Sequence, residues 1–230
     1  AKAAAGLVMD VTSGEMLAAV SLPGQDPART SEIMDPARPD RIQGGTYELG
    51  SIFKVMTVAM ALDSGQVKPD TVLDVTKPLT AGRFTIKDVH SAGRPLTVSE
   101  VFIRSSNVGS GMLALAEGAD RQKAFLEKLG LMAPMRTDVG PVAPPQLPAQ
   151  FGRAEQITVA YGHGLAVAPI QFAAAAAAII NGGTLVTPTY FRGRGTPPGT
   201  GTRVISAETS NSLRVLLRRN VSEPIGTGRR

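Results

Sequence analysis

Residues 51–62, SIFKVMTVAMAL, set a lysine inside what has to be a buried helix. Ile52, Phe53, Val55, Met56, Val58, Ala59, Met60, Ala61 and Leu62 cover nearly the whole circumference of a helix beginning near Ser51. A helix that is apolar all round has no face to offer to water, so the rest of the chain must pack around it. Gly65, with Pro69 beyond, marks where it stops. Lys54 conflicts with this placement, because lysine is almost never fully buried unless paired or functional. Burial disfavours the charged form and lowers the pKa. Ser51 stands three residues earlier, and positions i and i+3 share a helix face. A lysine that is neutral part of the time can take a proton from the serine hydroxyl, which activates the serine as a nucleophile. In the first helical turn, free backbone N–H groups can also meet a developing negative charge. Taken alone, a Ser-x-x-Lys pair more often means a lysine whose ammonium reaches along the helix to water, and it is the apolar surroundings that bring catalysis level with that reading.

A second group of polar residues lies at 104–109, RSSNVG. Thr97-Val-Ser-Glu100 is a capping box that starts a short helix just before it, and residues 107–118 read as the next helix. Ser105 and Asn107 therefore alternate in a helix-to-helix turn. There a second hydroxyl can relay a proton, and an amide can hold a peptide backbone with one donor and one acceptor. Ser and Asn are also ordinary helix starters.

The surroundings are those of a single domain. Residues 7–20 form a hairpin pattern with Gly14 at the turn. Residues 21–46, with Pro23, Pro27, Pro36 and Pro39, and residues 131–153 read as irregular loops, and 66–96 as mixed with short strand-like pieces. Helices are expected over 120–129, over Pro169 to Asn181 with Gly182 and Gly183 beyond, and from a Ser206 cap to about Asn220, with a strand over 184–191. The net charge of +5 is spread without a basic block, and there are only seven Phe and three Tyr, which argues against a nucleic-acid reader. Cysteine is absent, so disulfide and thiolate chemistry are excluded. No apolar run approaches the roughly 18 residues of a membrane helix. His90 and His163 are isolated, without the carboxylates at defined spacing that a zinc site needs; His163, between two glycines, reads as a loop residue. Neither metal nor cofactor is expected.

Ser-x-x-Lys followed by Ser-x-Asn is the signature of penicillin-binding proteins and class A β-lactamases. VTSGEMLAAVS, YELGSIFK, SSNVG and YGHGLAVAPIQFAAAAAAIINGG all resemble the transpeptidase domain of class B penicillin-binding proteins, over residues 6–228. The YELG lead-in and the SSNVG form look most like the cell-division, septal branch. The resemblance implies an α/β fold of the α+β type, the penicillin-binding-protein transpeptidase or serine β-lactamase-like fold, with helices on an antiparallel sheet. It implies Ser51 as acyl-accepting nucleophile, Lys54 as its base, Ser105 as proton relay and Asn107 as a contact to the substrate backbone. Ile52 stands where the family would have Thr. The implied substrate is the D-Ala-D-Ala end of a peptidoglycan stem peptide. β-Lactams would acylate the same serine. A septal glycosyltransferase and other cell-division proteins are the implied partners, and the periplasmic face of the bacterial inner membrane the implied location. A serine β-lactamase, a D,D-carboxypeptidase and a non-catalytic penicillin sensor share the first step and stay open.

The family's third motif, Lys-Thr-Gly on a strand beside the site, has no match. Gly199-Thr200-Gly201 and Gly226-Thr227-Gly228 lack the lysine. The ending RNVSEPIGTGRR resembles the segment shortly before that motif. Residues 1–230 are therefore expected to be a transpeptidase domain truncated at its C-terminal side, starting as an excised or mature segment, and inactive by themselves.

Overall fold

A computed structural model describes residues 3–26, 28, 29, 31, 35 and 38–229; Pro27 and Pro36 of the expected loop lie outside the described residues. The chain opens with an antiparallel hairpin of β1 (Ala4–Met9) and β2 (Met16–Leu22). Ala4 faces Leu22 and Met9 faces Met16, with a bulge between Val8 and Met9. The strands reach further outward than the expected 7–20 pattern. Gly14 takes φ +79°, and a Cβ there would lie 2.4 Å from Thr187 O, so the turn requires glycine. Leu7 and Met16 pack on a small cluster with Ile42, Val142 and Ile170. The opposite face of the hairpin leaves Val8, Val20 and Leu22 about half exposed.

Next come β3 (Tyr47–Glu48), a single 3-10 turn over Gly50–Phe53, and α1 (Lys54–Asp63). Ser51 thus sits in a tighter turn than the α-helix expected there, fused directly to it. Every residue of α1 from Lys54 to Ala61 is buried, as the all-round apolar pattern requires. Four short strands follow: β4 (Val72–Leu73), β5 (Leu79–Ala81), β6 (Phe84–Ile86) and β7 (Leu96–Thr97). The Thr97–Glu100 capping box is formed and starts α2 (Val98–Ile103). After one turn α3 (Asn107–Glu117) begins, then α4 (Ala119–Lys128) behind Gly118.

The Pro-rich 131–153 segment holds a two-residue ladder of β8 (Arg136–Thr137) and β9 (Gly140–Pro141). Immediately after it stands a helix that the sequence reading did not anticipate, α5 (Arg153–Val159). β10 (Ala166–Val167) pairs with β3, Ala166 opposite Glu48 and Val167 opposite Tyr47. α6 (Pro169–Ile180) starts with proline at its first turn and buries Ala174, Ala175, Ala177 and Ala178. Of the expected 184–191 strand only β11 (Thr184–Leu185) forms, paired with β12 (Thr202–Arg203). α7 (Ala207–Ser222) follows the Ser206 cap, two residues longer than expected.

The main core gathers α1, α2, α3, α6 and α7, with Phe53, Met56, Ile103, Leu113, Ile179 and Leu213 nearly inaccessible. Small residues set the spacing: a Cβ at Gly111 would fall 2.7 Å from Leu79 Cδ1 and 2.9 Å from Ile157 Cγ2. Among the described residues all strand ladders are two-stranded. The antiparallel sheet expected beneath the helices is therefore represented by the β1–β2 hairpin.

Candidate active site

Ser51 reaches its place through a backbone laced to the 161–167 segment. Gly50 N–H donates to Gly162 O at 3.1 Å. Glu48 accepts from Gly164 N–H at 2.8 Å and meets His163 Nδ1 at 3.1 Å. These contacts hold the Glu48 carboxyl below its usual pKa. Gly50 and Gly162 both have positive φ, and a Cβ on Gly162 would lie 2.1 Å from Gly50 O. Gly162 is needed here so that the backbones can touch, while a Cβ on Gly50 would meet open space and only its left-handed φ favours glycine. His163 is thus a partner of the serine's lead-in, and it is exposed.

Lys54, one turn on, is 1% exposed. Its Nζ donates to Ser51 Oγ at 2.9 Å, to Ser105 Oγ at 2.7 Å and to Ser105 O at 2.7 Å. Three acceptors match the three protons of an ammonium. Burial nevertheless lowers the Lys54 pKa to about 8, against an opposing pull from Asp88. The amine therefore loses its proton within reach of neutral pH, which is what a base for a serine needs.

Ser105 presents both oxygens to Lys54 because its backbone is left-handed, φ +59°, the one non-glycine positive φ among the described residues. Such a conformation costs about 1–2 kcal/mol and persists where the surroundings hold it. The end of α2 supplies one hold, with Ser105 N–H donating to Phe102 O and Ser106 N–H to Val101 O. The start of α3 supplies the other. Ser106 caps that helix by accepting from Gly109 N–H. Asp88, from the segment after β6, accepts from Ser106 Oγ at 2.7 Å and from Val108 N–H at 2.9 Å.

Ser51, Lys54 and Ser105 line one cavity of about 430 Å³. Its other walls are Phe102 of α2, Phe172, Ala176, Ile179 and Ile180 of α6, Leu217 and Asn220 of α7, and Thr227 and Gly228. The last two are drawn in by Asn220, whose Nδ2 donates to Thr227 Oγ1 at 3.1 Å and to Ile103 O at 2.9 Å. Asn107 is the first residue of α3, and its Nδ2 donates to Lys87 O at 3.4 Å; it is not among the residues that line the cavity. The sequence reading thus named three side chains that meet and one that stands beside them. It missed Asp88 and Glu48, for which an acidic residue in a polar segment is no signal, and Asn220 with Thr227, seen only as a helix end and a Gly-rich ending. Among the described residues no group of three or more His, Asp or Glu side chains is placed so that it could hold a metal ion.

Residues 4–230 match the family model of the penicillin binding protein transpeptidase domain. The chain is 35% identical over 223 residues to "Probable peptidoglycan D,D-transpeptidase FtsI" of Caulobacter vibrioides, covering 96% of this chain and 37% of that protein. It is 33% identical to "Probable peptidoglycan D,D-transpeptidase PenA" of Neisseria flavescens, covering 99% of this chain and 56% of that one. Among solved structures, the transpeptidase domain of penicillin-binding protein 3 from Burkholderia pseudomallei superposes with a TM-score of 0.86 at 32% identity, over 99% of this chain and 64% of that one. The chain thus spans between about a third and somewhat over half the length of these curated relatives. In sequence and in fold, this chain belongs to the penicillin-binding-protein transpeptidase family.

Proposed function

We propose that the protein carrying this chain is a serine-type peptidoglycan D,D-transpeptidase that cross-links stem peptides during septal wall synthesis. The observation that carries this is the buried Lys54 amine, bonded at once to Ser51 Oγ and Ser105 Oγ. The names of the relatives supply the substrate.

In this reading neutral Lys54 takes the Ser51 Oγ proton as the oxygen attacks the carbonyl of the penultimate D-Ala. The tetrahedral oxyanion is met by an N–H of the first turn, where backbone donors lack intrahelical acceptors. The intermediate collapses with rupture of the D-Ala-D-Ala bond. The departing amine takes a proton from Ser105 Oγ, which is replenished from the Lys54 ammonium, and free D-Ala leaves. An amine of a neighbouring stem then attacks the acyl-enzyme ester. It gives up a proton along the same path in reverse, and Ser51 Oγ is released protonated. Asn107 is assigned to the peptide backbone of the donor. A β-lactam follows the first step and stops, because its leaving group stays tethered.

Cell-wall substrates assign the work to the outer side of the cytoplasmic membrane, at its periplasmic face, beside a septal glycosyltransferase and other division proteins. Among the described residues no helix is long and apolar enough to cross a membrane.

The test is turnover of a stem peptide ending in D-Ala-D-Ala with an acceptor amine, using the protein at the full length its gene encodes. Cross-linked product together with released D-Ala is expected, and neither from Ser51→Ala. Release of D-Ala with water as the sole acceptor would reassign the protein as a carboxypeptidase. Acylation by penicillin without any peptide turnover would make it a sensor.

A further inference from the structure

We infer that Asp88 is a positioning residue of this site: its carboxylate clamps the Ser106–Val108 corner so that Ser105 is held against Lys54. The inference rests on the reading of Lys54 and Ser105 as the groups that serve Ser51. Three observations support it.

The first is the clamp itself. Both carboxylate oxygens are used, Oδ2 by Ser106 Oγ at 2.7 Å and Oδ1 by Val108 N–H at 2.9 Å. Ser106 is 2% exposed, so the hydroxyl has been taken out of water to make this bond. The second is what the clamp adjoins. Ser105, the residue immediately before, carries the left-handed backbone that turns its carbonyl and hydroxyl together onto Lys54. A conformation of that kind relaxes unless both flanks are fixed. α2 fixes one flank and Asp88 the other. The neighbouring Lys87 O receives the Asn107 amide, so the 87–88 segment braces the whole 105–108 corner.

The third is electrostatic. Around the cavity, the 3-10 turn offers Ser51, the corner offers Ser105, α7 offers Asn220 and the 227–228 stretch Thr227, none of them charged, while α6 presents only apolar side chains. Asp88 is the charge that acts on Lys54, and it favours the ammonium while burial opposes it. A carboxylate in this position therefore holds the base in shape and also raises the pH at which it becomes neutral, against the larger effect of burial.

Asp88→Asn keeps the outline of the side chain and removes its charge. Two readouts apply, both on the protein at the full length its gene encodes. One is the rate of Ser51 acylation by a fluorescent penicillin across pH. The other is the titration of the Lys54 amine followed by nitrogen-15 NMR. In Asp88→Asn the Lys54 midpoint is expected to move to lower pH. The acylation rate above that midpoint should fall by up to roughly a hundred-fold, the scale of a misplacement of about 1 Å. Ser106→Ala keeps the charge and removes one donor of the clamp. It should lower the rate and leave the midpoint where it was. An unmoved midpoint in Asp88→Asn overturns the inference, as does a wild-type rate in both variants. If Asp88→Asn does not fold, Ser106→Ala decides: a reduced rate supports the clamp and a wild-type rate overturns it. The NMR titration is repeated in a Ser51→Ala background, where no acylation is possible. A displaced midpoint there, in a protein whose wild type never acylates, would sink the Ser51 reading and leave the Asp88–Lys54 coupling standing.

Discussion

Lys54 was visible in the sequence because two demands collided at one position. The helix had to be buried, and a lysine had to be inside it. The structure resolves the collision with three acceptors around the amine and a pKa brought down by burial to about 8. A consequence for stability follows from the sign of that shift. The unfolded chain holds the proton up to the ordinary lysine value of 10.5, the folded chain only to about 8. Between these two pH values the unfolded state binds more protons, so stability rises with pH across the window. Lys54→Met should remove that rise and leave the protein as stable as wild type or more so, since a buried charge is exchanged for similar apolar bulk. It should also abolish acylation. Urea midpoints of both proteins below and above the window check the first claim, and penicillin labelling the second; labelling at the wild-type rate would mean Lys54 is not the base. Ser105 was legible only through its motif, because nothing in RSSNVG announces a left-handed serine. Asp88 was not legible at all. Its partners lie 18 and 20 residues away, and a carboxylate capping another segment's helix leaves no periodic trace.

At the level of elements, what could be read was whatever carried a repeating pattern. α1, α3, α4, α6 and α7 have apolar faces or caps and were found within a few residues of their ends. α5 has seven residues, follows a Pro-rich stretch and ends in Ile157-Thr-Val159, a β-favouring run that only tertiary packing turns helical. The two-residue ladders are too short to show alternation, and β8–β9 even includes Pro141. The contact between the Gly50 turn and the 161–164 loop also escaped the sequence reading, since close approach of two backbones is written only as glycines. It yields a prediction at this scale. Gly162→Ala must accept a left-handed φ of +85° and a Cβ 2.1 Å from Gly50 O. The backbone term alone costs about 1–2 kcal/mol, and relief of the overlap pushes Gly50 and hence Ser51 away from Lys54. Reduced urea stability together with slower acylation is expected. Stability and rate both equal to wild type would show that the 162–50 contact does not fix the nucleophile.

For the molecule as a whole, the site exists only because segments remote in the chain converge on α1. Ser51, Ser105, Asn220 and Thr227 share one cavity, and no local pattern in the sequence states that they will. The meeting of Ser51 with Ser105 was expected from the resemblance to a known family, that of Asn220 and Thr227 with them was not; the match over residues 4–230 bears the family out. The hairpin is the part of the fold least explained by its own contacts. Val8, Val20 and Leu22 on its open face are about half exposed, which its alternating pattern would not suggest for a finished sheet.

The central claim is that Ser51 is the residue that becomes acylated. It is tested most directly by peptide mass spectrometry of the full-length gene product after incubation with benzylpenicillin. The account predicts a penicilloyl adduct on the peptide containing Ser51, forming faster as pH rises through about 8 because Lys54 must be neutral to take the proton. It predicts no adduct in Ser51→Ala. An adduct on Ser105 with Ser51 unmodified, or acylation of Ser51 at a rate indifferent to pH across that range, would contradict it.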